Sequence, residues 1–432
     1  MSTCYLLFRT AEANRLYQSW RDQCAFATEV VTDAPHSWEP PDDAVMLVTH
    51  MHYRWEDLSC LRRVFNDNRL PILILADGIL EYRNTWEHEG LPDGAMFQPL
   101  FGHKIACMGE GQARLIESWG NGGRCEVVGF SAFESIQPLP LRTTPSSQND
   151  FRLMIATANT PSFDEQQHRV LLESLNAIRE WADGKTTSDG RRVELDWRLN
   201  LQLTQELDLP VVEAEDRPSL HDAISEVDAV ITTPSTLYLE SCLLGRPTAL
   251  LDFHNRPQYV PSAWSIGAKS MIGDVVEELA NPPAAKLQFQ DFSLRDQLQI
   301  AESPIQRLVT LVDAMCRHGE MCRNENRNVE LPERILKPAA TQRGQSPLSL
   351  ASLYPNNKVF EQQDRQRLQI ELTAAVERLK QLPDEVASQG NYILRLLGKN
   401  KKLNNRIQNL HQRVVSLRAR LGIGPPDSED EE

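Results

Sequence analysis

The stretch "DAVITTPSTLYLESCLLGRPTALLDF", residues 228–253, decides the fold of this chain. An apolar run, a polar loop, a second apolar run, a Gly-Arg-Pro turn and a third apolar run follow one another in it. This order predicts strand, loop, helix, turn and strand. Apolar strands joined by a helix are typical of a parallel sheet covered on both faces. The stretch therefore predicts an α/β unit with a hydroxyl-rich loop, residues 232–236, between a strand end and a helix start.

The chemistry of this loop indicates an anion site. It carries Thr232, Thr233, Ser235 and Thr236 beside a helix start, where backbone N–H groups attract anions such as phosphate. Glu240 follows Thr236 by four residues on the same helix face, from which a carboxylate can accept two ribose hydroxyls. N-capping by Ser235 or Thr236 is the simpler interpretation, and we expect capping in any case. It leaves Glu240 unexplained, because a capping box needs Glu three residues after the cap.

The rest of the chain extends this pattern into two domains. Apolar strands alternate with amphipathic helices over residues 1–136 and again over residues 151–318, separated by a Pro-, Ser- and Thr-rich linker at residues 137–150. We expect an α/β fold with two doubly wound, Rossmann-like domains that face a cleft. Ligands of such sheets bind beyond the carboxyl ends of the strands.

The C-terminal part has a different pattern. Residues 319–357 predict an extended connector, residues 358–421 a helical coiled-coil segment, and residues 422–432 an acidic tail. From Ile393, Ile, Val and Asn400 at heptad position a and Leu at d are typical of a parallel two-stranded coiled coil. We therefore expect a homodimer or other helical pairing through residues 358–421. Because residues 391–421 are basic and lack acidic side chains, an acidic partner and contact with an anionic membrane surface are alternatives.

Composition excludes several functions. A formal net charge of −15 over 432 residues argues against a nucleic-acid-binding protein, which needs a basic face. The eight cysteines form no CxxC pair, which indicates reduced thiols. Cys316, His318 and Cys322 are too few ligands for a zinc site, so we expect no metal. With no signal peptide or apolar membrane span, the sequence predicts a cytoplasmic protein, with peripheral attachment to the inner membrane surface as the alternative.

Two motifs carry a resemblance to a known family. The segment "GEGQARLIESWGNGGRCEVVGFSAFE", residues 109–134, and the stretch 228–253 resemble the GT-B glycosyltransferases of bacterial surface and capsular polysaccharide biosynthesis. The layout is also similar to that of teichoic-acid glycerophosphotransferases and UDP-N-acetylglucosamine 2-epimerases. The resemblance, over about residues 1–318, implies metal-independent transfer from a UDP-, GDP- or CMP-linked sugar to a carbohydrate acceptor, with no further cofactor. Residues 1–136 would form the acceptor-side domain and residues 151–318 the nucleotide-donor domain.

Transferred by position, the resemblance assigns the donor residues. It implies that Ser235 and Thr236 contact the donor phosphates and Glu240 the ribose. It also brings Asn159 and Thr160, in the loop "ATANTP", to the same cleft.

One departure concerns a motif that follows the strand "LDWRLN". Related capsule enzymes often have a His-Pro pair there, with the His on the phosphate, whereas this chain has Asn200 and Leu201. Arg198 is the candidate for the missing positive charge. The departure favours an alternative function, a catalytically degenerate scaffold that organises an assembly through its coiled coil. A sugar-nucleotide epimerase is a further alternative.

On the acceptor side, glycosyl transfer needs a base for the acceptor hydroxyl. Asp77, Glu81 and His88 follow the apolar strand "PILILAD" and are the candidates. The alternative is that Asp77 caps a turn and that the other two are surface charges. His50 and His52 also end a strand and can equally pack or cap.

Overall fold

We analysed a computed structural model of the chain. It describes residues 2–7, 18–31, 37–50, 55–87, 97–141, 149–211, 218–254 and 256–339, and scattered helical positions between residues 369 and 416. Residues 1–360 form one compact unit and residues 361–432 a second, and each is described by itself. In the described part, no helix is both long and apolar enough to cross a bilayer.

The first domain contains a parallel sheet whose described strands number six, in the order β2-β1-β3-β4-β5-β6. The strands are β1 (Thr3–Leu7), β2 (Ala27–Val30), β3 (Ala44–Thr49), β4 (Ile72–Leu75), β5 (Lys104–Cys107) and β6 (Cys125–Val127). The helices described in full between these strands are α1 (Trp55–Asp67), α2 (Tyr82–Trp86) and α3 (Glu110–Ser118). Strands β1, β3, β4 and β5 are buried along their whole length, because helices cover both faces of the sheet.

The second domain repeats the design with a parallel sheet of five described strands in the order β11-β10-β9-β7-β8. The strands are β7 (Asp150–Ala156), β8 (Arg192–Arg198), β9 (Ala229–Thr232), β10 (Thr248–Leu251) and β11 (Trp264–Ile266). Its helices are α4 (Glu165–Ala182), α5 (Leu201–Glu206), α6 (Leu220–Glu226), α7 (Thr236–Leu243), α8 (Ile272–Ala280) and α9 (Ala284–Gln297). The α/β fold with two parallel sheets is thus confirmed.

The strand order reverses inside each sheet, and this places the ligand site. In the second sheet β7 lies between β8 and β9, so the chain passes from β7 to β8 on one side and then crosses to β9 on the other side of β7. Such a switch point opens a crevice at the carboxyl ends of the two central strands, here β7 and β9. The loops that follow Ala156 and Thr232 therefore face the same crevice.

The last long helix of the compact unit, α10 (Pro304–Glu325), returns to the first domain and packs on β3. Gly319 allows this approach, since a Cβ atom added there would lie 1.8 Å from the Val45 carbonyl oxygen. Leu311, Met315 and Cys316 accordingly belong to the core of the first domain. Our expected boundary at residue 318 and a connector from residue 319 need correction, because α10 continues to Glu325 and is part of the first domain.

The segment after α10, residues 327–339, is fixed to the first domain by a buried ion pair. Lys104 Nζ lies 3.0 Å from Glu126 Oε1, and both side chains are at most 3% exposed. Lys104 also donates to the carbonyl oxygen of Glu333 at 2.7 Å. The two Glu126 carboxylate oxygens accept from the backbone N–H groups of Ile335 at 2.7 Å and Leu336 at 3.1 Å. Removing either Lys104 or Glu126 would leave the other charge buried without its partner, which is strongly destabilising.

The expected coiled-coil segment, residues 358–421, and the acidic tail fall largely outside the described residues. The described positions within it, among them residues 369–370, 372–374 and 398–402, are helical.

Candidate functional site

The candidate site lies in a cleft of about 730 Å³ between the two domains. The carboxyl ends of β3, β4, β7, β8 and β9 open into it. Eight of the residues that the sequence pointed to line it: Asp77, Glu81, Asn159, Thr160, Arg198, Ser235, Thr236 and Glu240. Its size falls within the range of about 300–1,000 Å³ for small-molecule and cofactor sites.

Helix α7 forms the floor of the cleft on the side of the second domain. It begins at Thr236, directly after the fully buried strand β9, and is buried from Tyr238 to Leu243. Because it is mostly apolar, α7 is packed between other elements, and it reaches the cleft through its N-terminal turn and Glu240. It ends before Gly245, whose positive φ of 71° reverses the chain toward β10.

The N-terminus of α7 has no side-chain cap. Ser235 occupies the N-cap position with extended backbone, but its side chain makes no capping hydrogen bond. Its hydroxyl instead lies 3.3 Å from Thr232 Oγ1. The expected capping is therefore wrong at the level of the side chain. Among the described residues, the backbone N–H groups of Thr236 and Leu237 find no acceptor, and both residues line the cleft. A helix start in this state can accept an anion.

Glu240, one turn into α7, is 8% exposed and lines the same cleft. His221 of α6 holds it, with His221 Nε2 2.6 Å from Glu240 Oε1. Burial raises the pKa of the Glu240 carboxyl, while His221 and the nearby Arg198 oppose the shift. The structure thus fixes one carboxylate oxygen on a histidine and directs the group into the cleft. Sequence analysis missed His221 because its partner belongs to another helix.

The loop after β7 forms the next part of the wall. Asn159 and Thr160 are exposed in the cleft. Thr233 does not line it, because the side chain is 3% exposed and its hydroxyl accepts the Ala158 N–H at 2.8 Å. Thr233 therefore ties the two crevice loops together and is not itself placed to touch a ligand.

Asn200, which stands where related enzymes have the His of the His-Pro pair, has a structural role in this chain. Asn200 Oδ1 accepts the backbone N–H of Leu203 at 2.9 Å and so caps α5. Arg198, which ends β8, reaches the cleft and donates to the carbonyl oxygen of Pro218 at 2.8 Å. The positive charge on this side of the cleft is therefore that of Arg198.

Across the cleft, Asp77 follows β4 of the first domain. Its side chain is exposed to the cleft, but surrounding protein desolvates the carboxylate and raises its pKa to about 6. The next residue, Gly78, touches the other wall, since a Cβ atom added there would lie 2.6 Å from Thr236 Oγ1. The buried Gln112 side chain donates to the Gly78 carbonyl oxygen at 2.8 Å and accepts the Met108 N–H at 2.8 Å. Asp77 is thus held beside the uncapped start of α7.

Glu81 also lines the cleft, but its carboxylate has other partners. One oxygen caps α2 by accepting the Asn84 N–H at 3.1 Å, and the other is paired with the buried Arg83. Asn84, which sequence analysis missed, lines the cleft three residues after Glu81, and His50 lines it as well. His88 and His52 lie outside the described residues. Of the two candidate bases that the structure describes, Asp77 is the more exposed, and Glu81 is held by Asn84 and Arg83.

Comparison with known proteins gives matches among solved structures alone. No protein-family model and no curated protein matches the chain. The UDP-GlcNAc 2-epimerase of Methanocaldococcus jannaschii, in complex with UDP-GlcNAc and UDP, is similar with a TM-score of 0.48 and 9% identity. That match covers 72% of this chain and 99% of the epimerase.

Two further matches have the same character. The S. aureus MnaA–UDP structure has a TM-score of 0.48 and 11% identity over 73% of this chain and 97% of that chain. A variant of the wall teichoic acid polymerase TagF, soaked with CDPG, has a TM-score of 0.42 and 10% identity over 75% and 90% of the two chains. An epimerase and a teichoic-acid polymerase, two classes that the sequence resemblance named, are thus among the similar structures. The likeness is one of fold.

Proposed function

We propose that the cleft binds a sugar linked to a nucleoside diphosphate, or a related nucleotide-linked group, and transfers that group to a carbohydrate hydroxyl. The observation that carries the proposal is the uncapped start of α7, with Glu240 behind it and Asp77 in front. Each of these three features costs stability or leaves hydrogen bonds unmade in the free protein. A nucleotide sugar supplies a partner for all three.

The donor would bind along α7. Its phosphates accept from the N–H groups of Thr236 and Leu237 and from the hydroxyls of Ser235 and Thr236, and the helix dipole favours their charge. The ribose hydroxyls donate to Glu240, whose other oxygen is held by His221. Arg198 lies near Glu240 and adds positive charge.

In the transfer step, Asp77 takes the proton of the acceptor hydroxyl as that oxygen forms a bond to the anomeric carbon. The bond between this carbon and the phosphate oxygen breaks, and the nucleoside diphosphate leaves with the bonding pair. The N-terminus of α7 and Arg198 stabilise the charge that develops on the leaving group. A carboxyl with a pKa of about 6 is close enough to neutrality to act as a base at physiological pH.

The test of donor binding uses thermal unfolding with UDP, GDP, CDP, CMP and their common sugar conjugates. We expect at least one of them to raise the unfolding temperature, because a ligand at one hundred times its Kd stabilises the folded state by about 2.7 kcal/mol. Glu240→Ala is expected to abolish the shift. Glu206→Ala is the matched control, since Glu206 forms the same type of pair with His168, also at 2.6 Å, without lining the cleft. Absence of a shift with every nucleotide, or equal loss in both variants, contradicts the proposal.

A second candidate is a cleft that binds the nucleotide without turnover. It is favoured by Asn200, which caps α5 at the position where related enzymes carry a phosphate-binding histidine. The two candidates differ in one measurement, the release of free nucleotide from a bound nucleotide sugar when an acceptor is added. Acceptor-dependent release supports the transferase, and binding without release under any acceptor supports the second candidate.

We also propose that residues 358–421 pair two copies of the chain. Among its described positions, Ile370, Leu372 and Val376 are 69%, 42% and 41% exposed. Apolar side chains left exposed on a helix favour pairing with a second helix. Sedimentation of the full chain and of a chain ending at residue 360 tests this, with a dimer expected for the full chain alone. Monomers in both cases would exclude pairing with a second copy.

A further inference from the structure

Four aromatic side chains contributed by both domains form a closed group beside the cleft. We call Tyr82, Trp86, Trp119 and Tyr259 the aromatic platform. Ring centroids are 6.4 Å apart for Tyr82 and Trp86, 5.7 Å for Trp86 and Trp119, and 5.8 Å for Trp119 and Tyr259. The contact between Tyr82 and Tyr259, at 6.0 Å, closes the group. The Trp86 indole N–H also donates to the Tyr259 hydroxyl across the domain boundary.

The aromatic platform differs from the core aromatics in its exposure to solvent. Trp20 and Trp264 are at most 1% exposed, whereas Trp86 is 39% exposed and the other three rings are partly exposed. Among the large hydrophobic side chains that the described residues expose, Trp86 is the one aromatic. Rings that served only to join the domains would be more stable if covered, because each exposed aromatic surface forgoes burial.

Helix α2 joins the aromatic platform to the cleft. Glu81 and Asn84, three residues apart, line the cleft, while Tyr82 and Trp86, four residues apart, carry two of the platform rings. Residues three and four apart share a helix face, so α2 presents one face to each site. At about 1.5 Å per residue, Trp86 lies within about 10 Å of the cleft-lining start of α2 along the helix axis.

The aromatic platform and the proposed ribose position lie on opposite sides of the α7 start. Arg198, near Glu240, ends β8, which is separated from β9 by β7. Tyr259 follows β10, which neighbours β9 on its other side. A nucleotide whose phosphate binds at α7 and whose ribose binds at Glu240 therefore extends away from the aromatic platform. The aromatic platform therefore lies on the side of the α7 start that the nucleotide does not occupy, where an acceptor can bind.

We propose that the aromatic platform binds a neutral carbohydrate chain as the acceptor, with a sugar ring stacked on Trp86 and the terminal unit at Asp77. The inference rests on the proposed function and names the acceptor subsite of the same cleft. The C–H faces of sugar rings pack on exposed aromatic rings, and sugar hydroxyls bind polar groups at the rim. The ion pair between Arg256 and Glu87, 2.7 Å apart, provides that rim, since Arg256 lines the same small pocket as Tyr82 and Tyr259. Because the pair is balanced in charge, the rim suits uncharged sugars.

The experiment measures binding of cellohexaose, chitohexaose, maltohexaose and mannohexaose to the full chain by isothermal titration calorimetry. We expect at least one hexaose to bind the unchanged protein. Trp86→Ala should weaken that binding at least about tenfold, because it removes the most exposed ring on which a sugar can pack. Trp86→Phe keeps a ring for stacking but loses the N–H group, and Tyr259→Phe keeps both rings but loses the hydroxyl. For both variants the Kd for the hexaose is expected to stay within about threefold of that of the unchanged protein, because the rings remain.

Two results overturn the inference. Absence of binding by all four hexaoses at millimolar concentration excludes a neutral carbohydrate site. If Tyr259→Phe weakens binding as much as Trp86→Ala, the bond between the two residues matters and the group is a domain clasp instead. The thermal shift with nucleotides is measured on the same variants and is expected to be unchanged. The nucleotide shift reports on the donor site and hexaose binding reports on the acceptor subsite. A failure of the proposed function and a failure of this inference are therefore distinguishable.

Discussion

Two helices begin in the same cleft in different ways. Helix α5 begins after Asn200, whose side chain caps it by accepting the N–H of Leu203. Helix α7 begins after Ser235, whose side chain makes no such bond, although serine is as good a cap as asparagine. Both follow a strand end of the same parallel sheet.

The difference lies in whether the residue before the helix uses its side chain as a cap. At α5 the side chain of Asn200 accepts the third N–H group of the helix, that of Leu203. At α7 the Ser235 hydroxyl is turned toward Thr232, and N–H groups of the first turn remain open to the cleft. Four predictions test this contrast, from the largest expected effect to the smallest.

The largest effect is expected opposite the open helix start, at Asp77. Asp77→Asn removes the proposed base and should reduce acceptor-dependent nucleotide release by about 10²- to 10⁴-fold. The raised pKa of about 6 means that ionisation of Asp77 destabilises the fold as pH rises from about 4 through about 6. The variant should therefore unfold at a higher temperature than the unchanged protein at pH 7–8, and at a similar one below about pH 4.

The control for this prediction is Asp252→Asn. Asp252 also has a pKa of about 6, raised by burial, but it does not line the cleft. Its variant should keep the transfer reaction. A transfer rate unchanged in Asp77→Asn would remove Asp77 from the mechanism.

The second prediction concerns the support of the open helix start. Thr233→Val leaves the Ala158 N–H without its acceptor and should lower the free energy of unfolding by about 1–3 kcal/mol. It should also weaken nucleotide binding, because the two crevice loops lose the bond that joins them. Thr233→Ser retains the hydroxyl and is expected to restore both properties. Denaturant unfolding and calorimetry measure them, and unaltered binding in Thr233→Val would separate the loops from the site.

The capped helix provides the third prediction. Asn200→Ala should lower the free energy of unfolding by about 1 kcal/mol, the usual cost of removing an N-cap. Nucleotide binding should stay unchanged, because the N–H group that Asn200 satisfies is not offered to the ligand. Asn200→Asp keeps a capping oxygen and should retain the stability. A large loss of nucleotide affinity in Asn200→Ala would show that this helix start is also part of the donor site.

Unlike Asn200→Ala, Ser235→Ala should weaken nucleotide binding and leave stability almost unchanged. With no capping bond to lose, its free energy of unfolding should change by less than about 0.5 kcal/mol. Nucleotide affinity should fall about 3- to 10-fold, as expected for one lost hydrogen bond. Equal losses of stability in Ser235→Ala and Asn200→Ala would remove the contrast between the two helix starts.

Much of the second domain follows from the sequence. The runs that became β7, β9 and β10 are short, apolar and bounded by turns, so their fold is encoded locally. The position of the site at the strand ends then follows from general topology. Ser235, Thr236 and Glu240, expected at this edge of the sheet, line the cleft, and so does Arg198, to which the family resemblance pointed.

The features that sequence analysis missed depend on contacts between distant segments. The pairing of His221 with Glu240 requires two helices to approach in space, and neither helix encodes it alone. The apolar face of α10 would fit either sheet, and its contact with β3 joins residues that are far apart in the chain. The missing cap at Ser235 depends on a side-chain rotamer, which composition does not determine.

The return of α10 and of residues 327–339 has a consequence for biosynthesis. The core of the first domain includes Leu311 and Met315, so it cannot be completed until the ribosome has also made the second domain. At about 5–20 residues per second, this delay is on the order of ten seconds or more. During that time, the apolar face of β3 that α10 will cover has no partner from its own chain. Nascent chains stalled before α10 should therefore bind chaperones more strongly than chains that extend beyond residue 339.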